Sequence, residues 1–407
     1  MDLIAQLTGT VKHYEWGGHS FIPSLLNLPN EEQIPFAEYW LGVHPLAECK
    51  LVMSDGYFRL LRDYFGTASP TAMGEYVAKR FGTMPYLLKA LDVRDMLSIQ
   101  VHPSKTNVIK DFAEEIELGV PLDSPQRNYK DNNHKPELMV AMGEFWLLHG
   151  FKPEEEIRKT LREVPELNFL LPVFNQLGHK GLYKTFMELP QEKVNEHLQP
   201  LVDRIIPLYK EGKLNREQAD YWAAKAMLRF SAAGMIDRGI FSIYIFNLVK
   251  LQRGEAIFQD SGVPHAYLEG QNVEIMASSD NVLRGGLTLK PINVPELLKH
   301  VTFEATYPQI LKGENKNDEL VYKTPAPDFE LSSFRLNKGN KVNFTSRTAE
   351  VLLLVEGDIL LNDKNNSVAL KKGQPSALVL AGNEVQVTAN EPSWFFKAGV
   401  PIDKTDK

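Results

Sequence analysis

A change of period partway along this chain limits what it can fold into. Residues 1–150 and 238–300 read as short runs of Val, Ile, Leu, Phe and Tyr, punctuated by Gly, Pro, Asn and Asp, which is the pattern of strands and turns. Between them the apolar residues return at helical spacing, at Val194, Leu198, Leu201, Ile205 and Leu208. Pro200 and Pro207 fall inside that stripe, and their missing amides predict a break or restart of the helix there. Asn215 followed by Gln218 reads as a capping box. It opens a second helical run, Ala219 to Ala233, which Gly234 is placed to close in the left-handed conformation.

Strands return from about 310. Glu350–Asp358 and Ala377–Asn383 read as strands ended by turns at Gly357 and Gly382. The expectation is a mainly β protein built of jelly-roll barrels with an inserted α-helical domain. One β unit spans 1–153 and 236–305, the helical insertion covers 154–235, and a C-terminal β unit covers 306–407. No histidine follows His300, so the C-terminal unit has no imidazole metal site and is expected to be structural or oligomeric.

Bulk properties remove several classes of function. A chain of 407 residues exceeds one ordinary core and implies two or three domains. A net charge of -7 argues against nucleic acid or an anionic membrane as partner, so a phosphorylated small molecule would need a local cluster of Lys and Arg. The single cysteine, Cys49, allows neither an intrachain disulfide nor a thiolate metal cluster. The N-terminus lacks the pattern of a secretory signal, and the longest apolar stretch, around Phe241–Val249, is too short for a membrane span. A cytoplasmic protein is the expected setting.

Chemistry is concentrated in a few segments. In Leu97-Ser98-Ile99-Gln100-Val101-His102-Pro103 a short alternating strand directs Ser98, Gln100 and His102 to one face, and Pro103 ends it. Two donor side chains two positions apart need partners from elsewhere. His134-Lys135-Pro136-Glu137 offers a cation beside a carboxylate, although alone it also fits a surface turn before a core strand. Pro264-His265-Ala266-Tyr267 places an imidazole at the start of a strand, where a satisfied structural histidine is the plainer reading. Together Gln100, His102, Glu137 and His265 form a sulfur-free ligand set suited to zinc, iron, manganese or cobalt. Downstream, Asp280-Asn281 is a turn signal and Gly285-Gly286 permits close backbone approach, with Arg284 poised for an oxyanion or, alone, merely a solvated loop arginine.

Six segments in this order make the chain resemble the type I phosphomannose isomerases: Tyr14-Glu15-Trp16-Gly17, Pro85–Lys89, Leu97–Pro103, His134–Glu137, Pro264–Gly270 and Ser279–Thr288. The resemblance implies a cupin fold and one zinc ion per chain, held by Gln100, His102, Glu137 and His265. It also implies interconversion of mannose 6-phosphate and fructose 6-phosphate. Arg284 takes the place of the family's active-site arginine, and Trp16, Lys89, Ser98, Lys135, Asp280 and Lys290 fall where the family contacts the sugar phosphate. Two departures are visible: Ile275 stands where relatives often have cysteine, and Leu289 where a proline is common.

Such an isomerisation moves a proton between two carbons through an enediol, which requires a base. The candidates are a metal-bound hydroxide, Glu274, Lys135 and His134. Lys89 and Ser98 are favoured for the phosphate. Two other readings stand beside this one. The two-histidine, one-carboxylate set is also that of non-haem iron oxygenases, and a cupin that binds sugar phosphate without turnover would carry the same residues.

Overall fold

The structure is a computed structural model describing residues 3–402 except 53–55, 125 and 232–233. Its centre is one long strand, His265–Ala277, which pairs antiparallel with four others. Its first part lies against Phe145–Phe151 and the short strand Gln100–Val101; its second part lies between Tyr86–Val93 and Glu137–Ala141. The exchange of partners happens where the register slips between Tyr267 and Glu269 and where Gly270 takes φ of +133°. A Cβ at Gly270 would meet the Glu144 carbonyl oxygen at 2.8 Å, so the bend requires glycine.

Register then decides what faces inward. Lys89, Glu274 and Met139 are lateral neighbours, as are Glu137 and Gln259, and Gln100, His265 and His149. Leu91, Met139, Phe145, Leu147, Ile257 and Tyr267 form a buried apolar cluster on the same strands.

Helices follow one another between Glu154 and Ile245 and bury Phe174, Leu182, Tyr183, Leu198, Ile205 and Trp222 against Trp146, Leu148 and Phe151 of the sheet. Pro200 and Pro207 do not break the helix Gln191–Lys210, contrary to expectation. Val194, Leu198, Leu201, Val202 and Ile205 are buried along one face, while both prolines lie on the exposed face, where water can satisfy the carbonyls they leave unbonded. The capping box forms by half. The Gln218 side chain accepts from the Asn215 amide at 2.8 Å, but the Asn215 side chain accepts from Glu217 instead. The helix it introduces, Ala219–Phe230, ends before Gly234, whose φ is +77°. Ala232 and Ala233 of the expected run lie outside the described residues.

Towards the C-terminus two sheets enclose Leu352, Leu354, Ile359, Leu361, Val387 and Phe395. The expected strands are Glu350–Glu356 and Ser376–Val379. The N-terminal strand Ile4–Thr8 pairs with Ser376–Val379 on one side and with Lys50–Val52 on the other. The first strand therefore belongs to the C-terminal sheet, not to the unit assigned to 1–153. A shared core joins Tyr86 and Leu88 to Leu331, Val351, Leu353 and Phe396. The Tyr86 hydroxyl lies 3.1 Å from the Ala349 carbonyl and 3.0 Å from that of Ala398.

Candidate metal centre and substrate cavity

His102, Glu137 and His265 arrive from three separate strand ends and bring one donor atom each within 4.8 Å of the others. His102 Nε2 is 3.5 Å from Glu137 Oε1, and His265 Nε2 is 3.3 Å from Oε2. On the far side of each ring, Nδ1 faces a carbonyl: Asn281 at 2.8 Å for His102, Val263 at 2.9 Å for His265. A carbonyl only accepts, so Nδ1 carries a proton, and in the neutral ring Nε2 keeps the free lone pair. Both Nε2 atoms are buried without a hydrogen-bond partner. Burial holds the His102 ring below its ordinary value, against the pull of Glu137, and so favours the neutral ligand form. For Glu137 burial acts upward, but the Lys135 charge 2.8 Å away leads the influences that outweigh it and hold the carboxyl well below the usual range. Two imidazoles whose Nε2 atoms have no hydrogen-bond partner among the described residues, facing one carboxylate, are a donor set for a zinc-type ion. Gln100 is the direct cross-strand neighbour of His265 and lines the same cavity.

Lys89, Lys135, Glu137, His265 and Glu274 line this cavity together. Lys89 Nζ bonds Glu274 Oε2 at 2.8 Å and lies 3.9 Å from Glu38. Burial disfavours its charge, but Glu274, Glu38 and Glu137 outweigh burial and raise its pKa, so it stays an ammonium. The other oxygen of Glu274 accepts from Tyr267 at 2.8 Å, leaving both of its oxygens engaged. Beside the cavity, Arg284 and Asp280 border an adjoining cleft and Lys290 a second one. Burial lowers the Arg284 pKa, and among the described residues its half-buried guanidinium makes no hydrogen bond or ion pair. The Arg284 charge, followed by burial, lowers the pKa of exposed Lys290. Asp280 is 3.4 Å from His44, whose hydrogen bond overcomes burial and lowers the Asp280 carboxyl. Trp16 is half-buried and stacked 5.8 Å from Tyr14.

Arg284, Asp280 and Lys290 thus border clefts and not the cavity itself, Trp16 lines none of them, and His134 and Ser98 lie off the cavity as well. His134 turns away from it, its Nε2 2.8 Å from Asp328 of the C-terminal unit. Ser98 is half-buried and does not line the cavity, because only Gln100 and Val101 of its segment pair as strand. Three further residues were given no role by the sequence: Glu38 stands in no motif, while Tyr14 and Asn281 lie within the segments Tyr14–Gly17 and Ser279–Thr288. Glu38 lines the cavity, and burial raises its carboxyl against the Lys89 charge; only its inward register opposite Leu91 betrays it. Burial, followed by the Glu38 charge, raises the Tyr14 phenol, whose ring stacks 5.8 Å from that of Trp16. Asn281 reads as a turn residue but is a buried hub. Its carbonyl fixes His102, its Nδ2 donates to the carbonyls of Asp131 and Asn133, and its Oδ1 accepts from the Lys130 amide.

Comparisons with known proteins agree with this geometry. The family model for the phosphomannose isomerase type I catalytic domain matches residues 4–154. Mannose-6-phosphate isomerase of Escherichia coli (strain K12) is 36% identical over 386 residues, covering 94% of this chain and 96% of that protein. The mannose-6-phosphate isomerase of Mus musculus is 31% identical, covering 96% of this chain and 97% of that one. A crystal structure of mannose 6-phosphate isomerase from Salmonella typhimurium bound to fructose 6-phosphate and zinc superposes with a TM-score of 0.88 at 31% identity, covering 98% of this chain and all of the other.

Proposed function

The chain belongs to the type I phosphomannose isomerase family, and from that membership we propose that it interconverts D-mannose 6-phosphate and D-fructose 6-phosphate at a site for one zinc ion. The observation that carries this reading is the pair of buried imidazoles, each with Nδ1 tied to a carbonyl and Nε2 free towards Glu137. His102, Glu137 and His265 would hold the ion, with Gln100 as the fourth ligand. Bound there, zinc supplies a Lewis acid that polarises the sugar carbonyl.

The remaining steps belong to the chain's own side chains. Opening and isomerising the sugar through an enediol places negative charge on oxygen near the cavity mouth. Arg284, half-buried and without a protein partner, is the cation available to meet that charge. A base must carry the proton between C1 and C2. Glu274 has both oxygens engaged, and His134 faces Asp328, which leaves Lys135 as the side chain of the three that lines the cavity with one partner. We assign the proton in transit to Lys135 acting as the free amine, so that its own ammonium proton leaves before it takes the one on carbon. Glu274 and Glu38 keep Lys89 charged and fixed beneath the sugar, so Lys89 orients hydroxyls more than it holds phosphate. The phosphate falls to Lys290 beside Arg284, two like charges that an anion relieves. Trp16 and Asp280 border the sugar.

The same reading makes the ten-stranded sheet a cupin barrel, residues 154–235 an inserted helical domain, and 306–407 a cupin-like unit without metal. No helix among the described residues is long and apolar enough to cross a membrane, and the lone buried Cys49 suits a cytoplasmic setting. The test is conversion of mannose 6-phosphate by purified protein before chelation, after it, and with zinc restored. Activity lost to chelator and regained with zinc is the expected result. No turnover by folded, zinc-loaded protein overturns the reading.

A further inference from the structure

The C-terminal unit contains no histidine, yet one of its side chains reaches the segment that carries Lys135 and Glu137. Asp328 is 4% exposed, and its Oδ2 accepts from His134 Nε2 at 2.8 Å across 194 residues of sequence. Its own position is stiff. Pro325 and Pro327 fix the backbone before it, and Ala326 and Phe329 are embedded in the core shared by the two β units.

The segment it holds is gripped from the opposite side as well. The Asn133 carbonyl accepts from Asn281 Nδ2 at 2.9 Å and from Ser279 Oγ at 3.1 Å, and the Pro136 carbonyl accepts from the Ala277 amide at 3.1 Å. Those bonds fix residues 133 and 136. At residue 134, between them, the side-chain anchor is Asp328. Immediately after it comes Lys135, whose Nζ is 2.8 Å from Glu137 Oε1 in the cavity. A displaced His134 would shift the ammonium and the carboxylate together.

We propose that Asp328 is a positioning residue, through which the C-terminal unit sets the placement of Lys135 and Glu137 by way of His134. This makes that unit part of the active-site framework. The inference rests on the isomerase reading for its kinetic consequence, but its effect on metal affinity does not.

The experiment measures the zinc dissociation constant by competition with a chromophoric chelator, together with kcat and KM, for Asp328→Ala, Asp328→Asn, His134→Ala and the double alanine variant. Asp328→Ala is expected to weaken zinc binding and lower kcat by about tenfold each, with KM little changed, as partners of metal ligands commonly do. Asp328→Asn keeps an acceptor oxygen and should recover most of both losses. The double variant should lose no more than either single alanine variant, since one link is cut twice. If Asp328→Ala fails to fold, His134→Ala cuts the same link from the other end. Wild-type zinc affinity and kcat in either folded alanine variant, with only a lower Tm, overturn the proposal. Additive losses in the double variant overturn it too. Absence of turnover in the wild-type protein would strike the isomerase reading alone, because the zinc titrations need no substrate.

Discussion

Among the described residues, two groups of histidine and carboxylate side chains each gather three donor atoms within 4.8 Å: His102, Glu137 and His265 at the strand ends, and Asp111, Glu296 and His300 where the helix Lys105–Glu117 meets the helix Val294–His300. Their spacings are alike. His300 Nε2 is 3.2 Å from Asp111 and 3.5 Å from Glu296, against 3.5 and 3.3 Å for the two imidazole–carboxylate distances at the strand ends. They differ in what already occupies the middle. In the helical group the Tyr129 hydroxyl bonds Glu296, lies 2.7 Å from His300 Nε2 and 3.2 Å from Asp111, and so fills the point on which the donors converge. The hydrogen bond from His300, acting against burial, holds the Glu296 carboxyl down to about 2. In the group at the strand ends the facing nitrogens have no hydrogen-bond partner among the described residues. Ligand type and spacing therefore do not define a metal centre; uncommitted lone pairs do.

This contrast can be broken by experiment. His265→Ala should abolish stoichiometric zinc binding and lower kcat/KM at least about 10³-fold, the scale of several kcal/mol of lost Lewis acid stabilisation. His300→Ala should leave zinc content intact, as read by elemental analysis. A loss of zinc from the His300 variant alone would reverse the assignment. Arg284→Ala separates holding a metal from using it. Turnover is expected to fall about 10²–10³-fold, as for loss of an oxyanion-binding donor, with one zinc per chain retained. The smallest effect sharpens the comparison most. Tyr129→Phe removes the hydroxyl hub, should cost about 1–3 kcal/mol in denaturant unfolding as buried polar groups lose their donor, and should admit a second, weaker zinc ion. A stoichiometry of one in that variant would show that free lone pairs are not sufficient.

Much of the site was legible in the sequence because alternation along strands is local. Gln100 and His102, two positions apart, could be read as sharing a face, and Lys135, Glu137 and His265 were marked by the prolines that start or end their strands. What could not be read depends on register between distant segments. Glu38 meets Lys89 only through pairing of strands about fifty residues apart, and nothing local distinguishes it from a surface glutamate. His134 passes as a candidate base until Asp328 is seen beside it. Asn281 has the composition of a turn, and its role as a hub appears only when the segment Lys130–Asn133 packs against it. The two prolines of the helix Gln191–Lys210 misled for a related reason: their cost depends on which face meets water, and packing decided that face.

The pairing of Ile4–Thr8 with Ser376–Val379 carries a consequence for synthesis. The Leu7 carbonyl accepts from Ser376 Oγ, a residue made 369 positions later. At ribosomal speeds of about 5–20 residues per second, the first strand waits roughly 20–75 s for its partner. During that time Ile4 and Leu7, both buried in the finished protein, have no such strand to lie against. The last sheet to be translated thus closes over the first residues to emerge. A nascent chain stalled before residue 376 should present that strand to chaperones, while one released after it should not.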